Sequence, residues 1–328
     1  MAEHTSIDLE ALTDLCTPWC IHVVVTLNIA GMISEGVHDI GTLAERAGCD
    51  RDVLHSIMGH LVFKGVFAEP ELGRFELNDA SQMLLHPGVR LGLDLNGIGG
   101  RMAHVWGTML KYVQTGKPAY QDVFGRPFWD DLEANPEVHA SFDVMIGPSG
   151  HGSFNPWFEV TGGWDSIRTV ADVGGGTGAM LAEVLRARPG VNGVLVDLPQ
   201  TVERAREAFE NAGLQNRVTY VAQSFFESLP PGLDIYILRG IINDWADAES
   251  VQILRRCAEA AKPSGRVVIL KSVSEDNTPK RLYIEMVLAG GKHRTISEFR
   301  NLAQEASLEV VAAARQPSGY YVVECRPI

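Results

Sequence analysis

The stretch Asp172-Val-Gly-Gly-Gly-Thr-Gly178 sets glycines where an apolar run, TVADV, gives way to a helical one, AMLAEVLRA. A backbone without Cβ atoms at such a turn lets a ligand approach where side chains would collide. The same letters contain Gly174-x-Gly176-x-x-Ala179, which fits a dinucleotide fingerprint, so the glycines alone leave NAD and S-adenosylmethionine both open. Asp172, two residues ahead of the first glycine, puts a carboxylate near the strand end. It suits an ammonium group better than a pyrophosphate and so favours a methionine moiety. Asp197 closes the next apolar run, where its two oxygens can accept both hydroxyls of a ribose, a feature common to both cofactors. The loop follows about 165 residues of largely helical sequence rather than opening the chain, and that context also favours the methyl donor.

After Trp164 the text alternates short β-rich runs (TVADV, GVLVD, VTYVA, DIYILRG, GRVVILKSV) with helical stretches such as TVERAREAFENAG and DAESVQILRRCAEAAKP. That rhythm predicts an α/β domain with a parallel sheet wound on both faces, finished by a last helix and edge strands in SEFRNLAQEASLEVVAAARQ and YYVVECRP.

The 328 residues, 45% of them hydrophobic, can bury two cores, and the formal net charge of −13 repels phosphate backbones and anionic membranes. Nucleic acid is excluded as a partner. The five cysteines (Cys16, Cys20, Cys49, Cys257 and Cys325) are scattered and lack CxxC pairing, so no metal site is expected and a reducing cytoplasm is. The start MAEHTSIDLE lacks the basic and apolar parts of a signal peptide, and no run approaches the roughly 20 apolar residues of a membrane span.

Residues 8 to 33 read as one helix with a wide apolar face (Leu9, Leu12, Leu15, Trp19, Val23, Leu27, Met32) that calls for covering, a partner subunit being one candidate. From Asp39 two short amphipathic helices broken at Gly48, then two strands around Pro70 to Gly73, make a winged-helix pattern. Its second helix carries Asp50, Arg51, Asp52, His55 and His60, too little positive charge for a DNA reader, so a dimerisation scaffold is the reading. Residues 95 to 160 read as mostly helical and aromatic-rich. Trp106, Phe142 and Met145 there are candidates for lining an apolar substrate cavity, as against plain core packing. His151, in PSGHGSF, is either a substrate contact or a solvent-facing loop residue, and His104, Asp143 and Arg126 are further polar groups near the same region.

Taken together, TGKPAYQDVFGRPFWDDLEANPEVHASFD, ADVGGGTG, VDLPQTV, SFFESLP, ILRGIINDWADAESVQILRRCAEA and GGKHRT span nearly the whole chain. In these motifs the chain resembles the S-adenosylmethionine-dependent small-molecule O-methyltransferase family of plants and bacteria, above all its anthracycline-tailoring methyltransferases and their hydroxylase or decarboxylase relatives. The resemblance implies a Rossmann-like class I methyltransferase domain over 164–328. It also implies an intertwined homodimer through a mainly helical winged-helix domain over 1–95, with a helical linker and pocket region, 96–163, between them. Cofactor contacts are expected at Asp172, Gly174, Gly176, Asp197, Leu198, Ser224, Phe225 and Arg239.

Three positions depart from the family pattern. The histidine of H-D-W, which takes the acceptor's proton, is here Asn243, followed by Asp244 and Trp245. An amide is no base near neutral pH, where a phenol of pKa about 10 stays protonated, and loss of a general base forfeits about 10²- to 10⁴-fold in rate. The glutamate of G-x-E-R-T is His293, either a replacement base or a residue at the pocket rim. The acid of G-D-F-F is Ser224, a neutral and weaker acceptor for an adenine amino group. The charges of DAESVQILRR read as a solvated helix face.

Three functions follow. The first is methyl transfer to a hydroxyl of an aromatic or polyketide-like natural product, driven by proximity, with Asn243 orienting the nucleophile, Asp244 holding the turn and His293 taking the proton. The second keeps the cofactor as a fixed positive charge for decarboxylation, hydroxylation or a pericyclic step. The third is a winged-helix small-molecule sensor, which the acidic second helix disfavours.

Overall fold

The computed structural model describes residues 7–146 and 155–328. The chain divides into two compact units, Met1–His104 with Pro136–Met145, and Val105–Asn135 with Ile146–Ile328.

In the second unit, seven strands form one sheet: β1 (Thr169–Val173), β2 (Asn192–Asp197), β3 (Val218–Ala222), β4 (Ile235–Arg239), β5 (Arg266–Leu270), β6 (Leu308–Arg315) and β7 (Tyr321–Pro327). Their spatial order is β3-β2-β1-β4-β5-β7-β6. The first five run parallel, and β7 lies antiparallel between β5 and β6. Only β6 of the last two is therefore an edge. The expectation of two edge strands is corrected here, because Val322, Val323, Glu324 and Cys325 are buried and β7 fits inside the sheet.

Alternation divides the strands between two cores. Ala171, Val173, Tyr236 and Leu238 pack with Leu254 and Phe299 of the helices Asp247–Ala261 and Ile296–Glu305. Val170, Ile235 and Ile237 face the other way, onto Leu181 and Phe209 of the helices Ala179–Ala187 and Pro199–Asn211. Both faces are covered, which is why the strands read as nearly unbroken Val, Ile and Leu. The connection from β1 leads to β2 on one side while β4 pairs on the other, so the chain reverses its winding between β1 and β4. In such sheets, ligands lodge beyond the carboxyl ends at this switch point.

The first unit opens with three helices, Leu9–Thr13, Cys16–Thr26 and Ile29–Ser34, where the sequence pattern predicted one. Asp14 interrupts it by accepting the amides of Cys16 and Thr17 at 2.9 and 3.1 Å. Asn28 interrupts it again in the left-handed conformation (φ 54°), with its side chain crowding the space above Gly31. The helices Ile40–Ala47 and Arg51–Phe63 and the hairpin Phe67–Glu71/Arg74–Leu77 follow as expected, with Gly48 at φ 65° ending the first helix. The Ile98 amide donates to Ser141 Oγ at 2.9 Å, tying the helix Pro136–Ile146 to the helix Ile98–Val105. The cysteine spacing, read as unsuited to a metal, conceals one convergence: Cys16 and Cys20 meet His60 from another helix.

Candidate functional site

Beyond β1 the chain turns through Gly174, Gly176 and Gly178, at φ 69°, 59° and 79°. A Cβ on Gly174 would lie 2.6 Å from Ile241 and 3.2 Å from Phe225, whereas one on Gly176 would have nothing nearer than Ile146 at 3.8 Å. The loop is thus wedged by packing at one glycine and open at the next. Asp197 Oδ2 accepts the Gly176 amide and Oδ1 the Leu198 amide, both at 2.8 Å, so one carboxylate fixes the loop and the start of the next helix.

Asp172 is buried, its Oδ2 finds no hydrogen-bond partner among the described residues, and it sits between Leu195 of β2 and Ile237 of β4. Burial pushes its carboxyl up to about 7, with Arg239 opposing the shift and Asp197 adding to it. A buried carboxyl with an unused oxygen at the switch point is a fit for a cationic group. Ser224 Oγ accepts the Phe226 amide at 3.3 Å, and Trp245 meets both Phe225 and Phe226 edge-to-face, the two phenyl rings being tilted to each other.

The second half of the site follows β4, where Ile242–Asp244 makes a 3₁₀ turn. Asn243 is 6% exposed; its Nδ2 donates to Asp244 Oδ1 at 2.7 Å and its Oδ1 accepts from Ser272 Oγ at 2.8 Å. One amide proton remains for another partner. Burial, with Glu285 adding to it, holds the Asp244 carboxyl well above the usual carboxylate range.

Arg294, only 1% exposed, clamps this turn from the outside. Its Nη1 donates to the Ile242 carbonyl at 2.7 Å, Nη2 to the Trp245 carbonyl at 2.9 Å, and Nε to Asp247 at 2.9 Å. The loop before it presses so close that a Cβ on Gly291 would stand 2.2 Å from the Asn243 carbonyl oxygen. His293 stacks on Tyr283 with ring centroids 3.9 Å apart, and its buried Nε2 has no partner among the described residues. Burial lowers its pKa, Glu285 opposes that, and Arg294 adds to it, so the ring is neutral near pH 7. Trp129 stacks on Trp245 at 5.7 Å, adding an apolar wall beside the turn.

The structure brings Asp172, Gly174, Gly176, Asp197, Leu198, Ser224, Phe225, Arg239, Asn243, Asp244 and His293 into the second unit, most of them on loops and turns that leave the carboxyl ends of its parallel strands. Trp106 shares that unit and is 42% exposed. Phe142 and Met145 belong to the first unit, on the helix Pro136–Ile146, and His151 lies outside the described residues. His104 packs against Trp19 and Asp143 pairs with His139, both within the first unit. Sequence reasoning missed Ser272, Tyr283 and Glu285, and gave no role to Arg294 although it lies in the GGKHRT motif next to His293. Asp247 is exposed, as the solvated-face reading expected, and it also binds Arg294 and, at 2.7 Å, Lys292.

The O-methyltransferase domain family matches residues 106–309. The 2,7-dihydroxy-5-methyl-1-naphthoate 7-O-methyltransferase of Streptomyces carzinostaticus is 35% identical, over 94% of this chain and 94% of that protein. Aclacinomycin 10-hydroxylase of Streptomyces purpurascens is 33% identical, over 95% of this chain and 86% of its own length. Among solved structures, the O-methyltransferase NcsB1 from neocarzinostatin biosynthesis, in complex with S-adenosylmethionine and 2-hydroxy-5-methyl naphthoic acid, superposes with a TM-score of 0.87. It is 33% identical, with 99% of this chain and 100% of that one covered.

Proposed function

The chain belongs to the O-methyltransferase family, and from that premise we propose that it methylates a hydroxyl of an aromatic or polyketide-like natural product, using S-adenosylmethionine, in antibiotic-type biosynthesis. The observation that carries this reading is the cradle at the switch point, with its glycine turn and the unpartnered buried oxygen of Asp172 beside the Asn243 turn.

In this reading Asp172 would meet the cofactor's ammonium, Asp197 the ribose hydroxyls and Ser224 the adenine amino group, with the backbone of Gly174 and Gly176 and the side chains of Leu198, Phe225 and Arg239 completing the contacts. The bound cofactor supplies a methyl group already activated on sulfonium. Asn243 donates its remaining amide proton to the acceptor oxygen and holds it in line, because its other two polar contacts fix the side chain. Asp244, whose setting favours the neutral carboxyl, holds the turn with less negative charge beside the nucleophile. His293, neutral and with Nε2 unspent, takes the acceptor's proton. Trp106 is a proposed acceptor contact.

The exposed Leu9, Leu12 and Leu15, 69–75% accessible, support a homodimer through a winged-helix region within 1–95. Free cysteines throughout the described residues support a cytoplasmic setting, and no described helix is long and apolar enough to cross a membrane.

The test is incubation with S-adenosylmethionine and a panel of hydroxylated naphthoates and phenolic polyketides, read by mass spectrometry. A gain of one methylene unit with equimolar S-adenosylhomocysteine is expected. Turnover without that gain would instead favour a second reading, in which the sulfonium is a fixed charge for a non-methylating step. Two observations lean that way: the occupied carbonyl of Asn243, and a relative named as a hydroxylase.

A further inference from the structure

Cys16 and Cys20 stand one helical turn apart on Cys16–Thr26, so both thiols leave the same face. Their sulfurs are 3.8 Å apart, in hydrogen-bond contact and not joined as a disulfide. That separation is close to the edge of a tetrahedron with metal–sulfur bonds of about 2.3 Å, roughly 3.8 Å. His60, from the helix Arg51–Phe63, brings a ring nitrogen into the same space, with all three ligand atoms within 4.8 Å of one another.

The surroundings support an imidazole ligand. His60 Nε2 lies 2.8 Å from Thr17 Oγ1, Thr17 donates to Asp14 Oδ2 at 2.6 Å, and Lys64 closes the chain on the same carboxylate at 2.9 Å. Outer contacts that end in a carboxylate orient metal-binding histidines. A cation on Nδ1 keeps the Thr17 bond, and one on Nε2 replaces Thr17 as its partner. Burial, and then the contact with Cys16, pushes the Cys20 thiol up to about 11, so a cation that binds there has to displace its proton. Cys16 is exposed, which leaves a fourth position open to water.

We infer that Cys16, Cys20 and His60 form a binding site for a thiophilic cation of the zinc(II) or copper(I) class, bridging the helices Cys16–Thr26 and Arg51–Phe63. Two sulfurs and an imidazole select that class over magnesium or calcium, which take oxygen ligands. The site lies within the first unit and stands apart from the methyl-transfer reading.

The experiment is titration of the metal-free full chain with cobalt(II), followed by zinc(II). One ion per chain, a thiolate-to-cobalt charge-transfer band in the near ultraviolet, and loss of that band on zinc addition are expected. Zinc should also raise Tm by mass action. Cys16→Ser alters an exposed residue and His60→Gln a half-buried one; each should weaken cobalt binding at least about tenfold by removing one of three ligands. Cys49→Ser should leave it unchanged. No charge-transfer band, or a band of equal strength in Cys16→Ser and His60→Gln, would overturn the assignment.

Discussion

The glycine loop after β1 and the turn after β4 stand side by side at the switch point, yet they are built by opposite means. The loop is local: seven consecutive residues set its shape through positive φ angles, and one carboxylate from the neighbouring strand pins it. The turn is assembled from afar. Asn243 and Asp244 are held by Ser272, by the loop at Gly291 and by the guanidinium of Arg294. A loop shaped by its own backbone can persist while the chemistry beside it changes, whereas a turn held by distant side chains is re-made whenever one of them is replaced.

The contrast makes its largest prediction at Arg294. Arg294→Met leaves the carbonyls of Ile242 and Trp245 without their buried donor, and should cost about 3–5 kcal/mol of stability by urea unfolding. A loss below about 1 kcal/mol would mean that the turn holds itself. His293→Phe keeps a ring against Tyr283 but removes the nitrogen, and should lower kcat by about 10²-fold or more if His293 is the base. Because burial lowers the pKa of His293, the wild-type kcat/KM should be level through neutrality and fall only in more acidic solution, a limb absent from the variant.

On the loop side, Gly174→Ala must accommodate a Cβ 2.6 Å from Ile241 at a left-handed φ, and should weaken S-adenosylmethionine binding by about 10- to 100-fold in calorimetry. The smallest effect belongs to Asp172. Its carboxyl, raised to about 7, is mostly protonated below that pH and charged above it. Affinity for the cationic cofactor should therefore rise as pH increases toward 7, by up to about tenfold per unit, and level off beyond. Asp172→Asn should flatten that slope, and an unchanged slope would place the cation elsewhere.

What could be read in advance divides along the same line. The strand–helix rhythm, the glycine loop, Asp172 and Asp197 carry their signal in consecutive letters, and the sheet places them as that signal implied. Asn243 and His293 stood out because they break a family pattern. Ser272 and Glu285 carried no such mark, and Arg294 matched the G-x-E-R-T pattern without revealing its contacts, since these roles arise only when separate segments meet. The helix predicted over 8 to 33 failed for a different reason: Asp14 and Asn28 prefer capping and left-handed conformations that an apolar period does not register.

The chain passes between its two compact units three times, after His104, Asn135 and Met145. On the ribosome the first unit therefore cannot be completed until the helix Pro136–Ile146 has emerged, by which time the segment destined for the second unit is already waiting. A gene cut near residue 95 would encode a body lacking the helix that Ser141 fastens to Ile98. Exchange of the first unit between relatives would have to respect all three junctions at once. Single substitutions, rather than shuffling of a terminal module, are then the accessible route by which such a chain changes what it accepts.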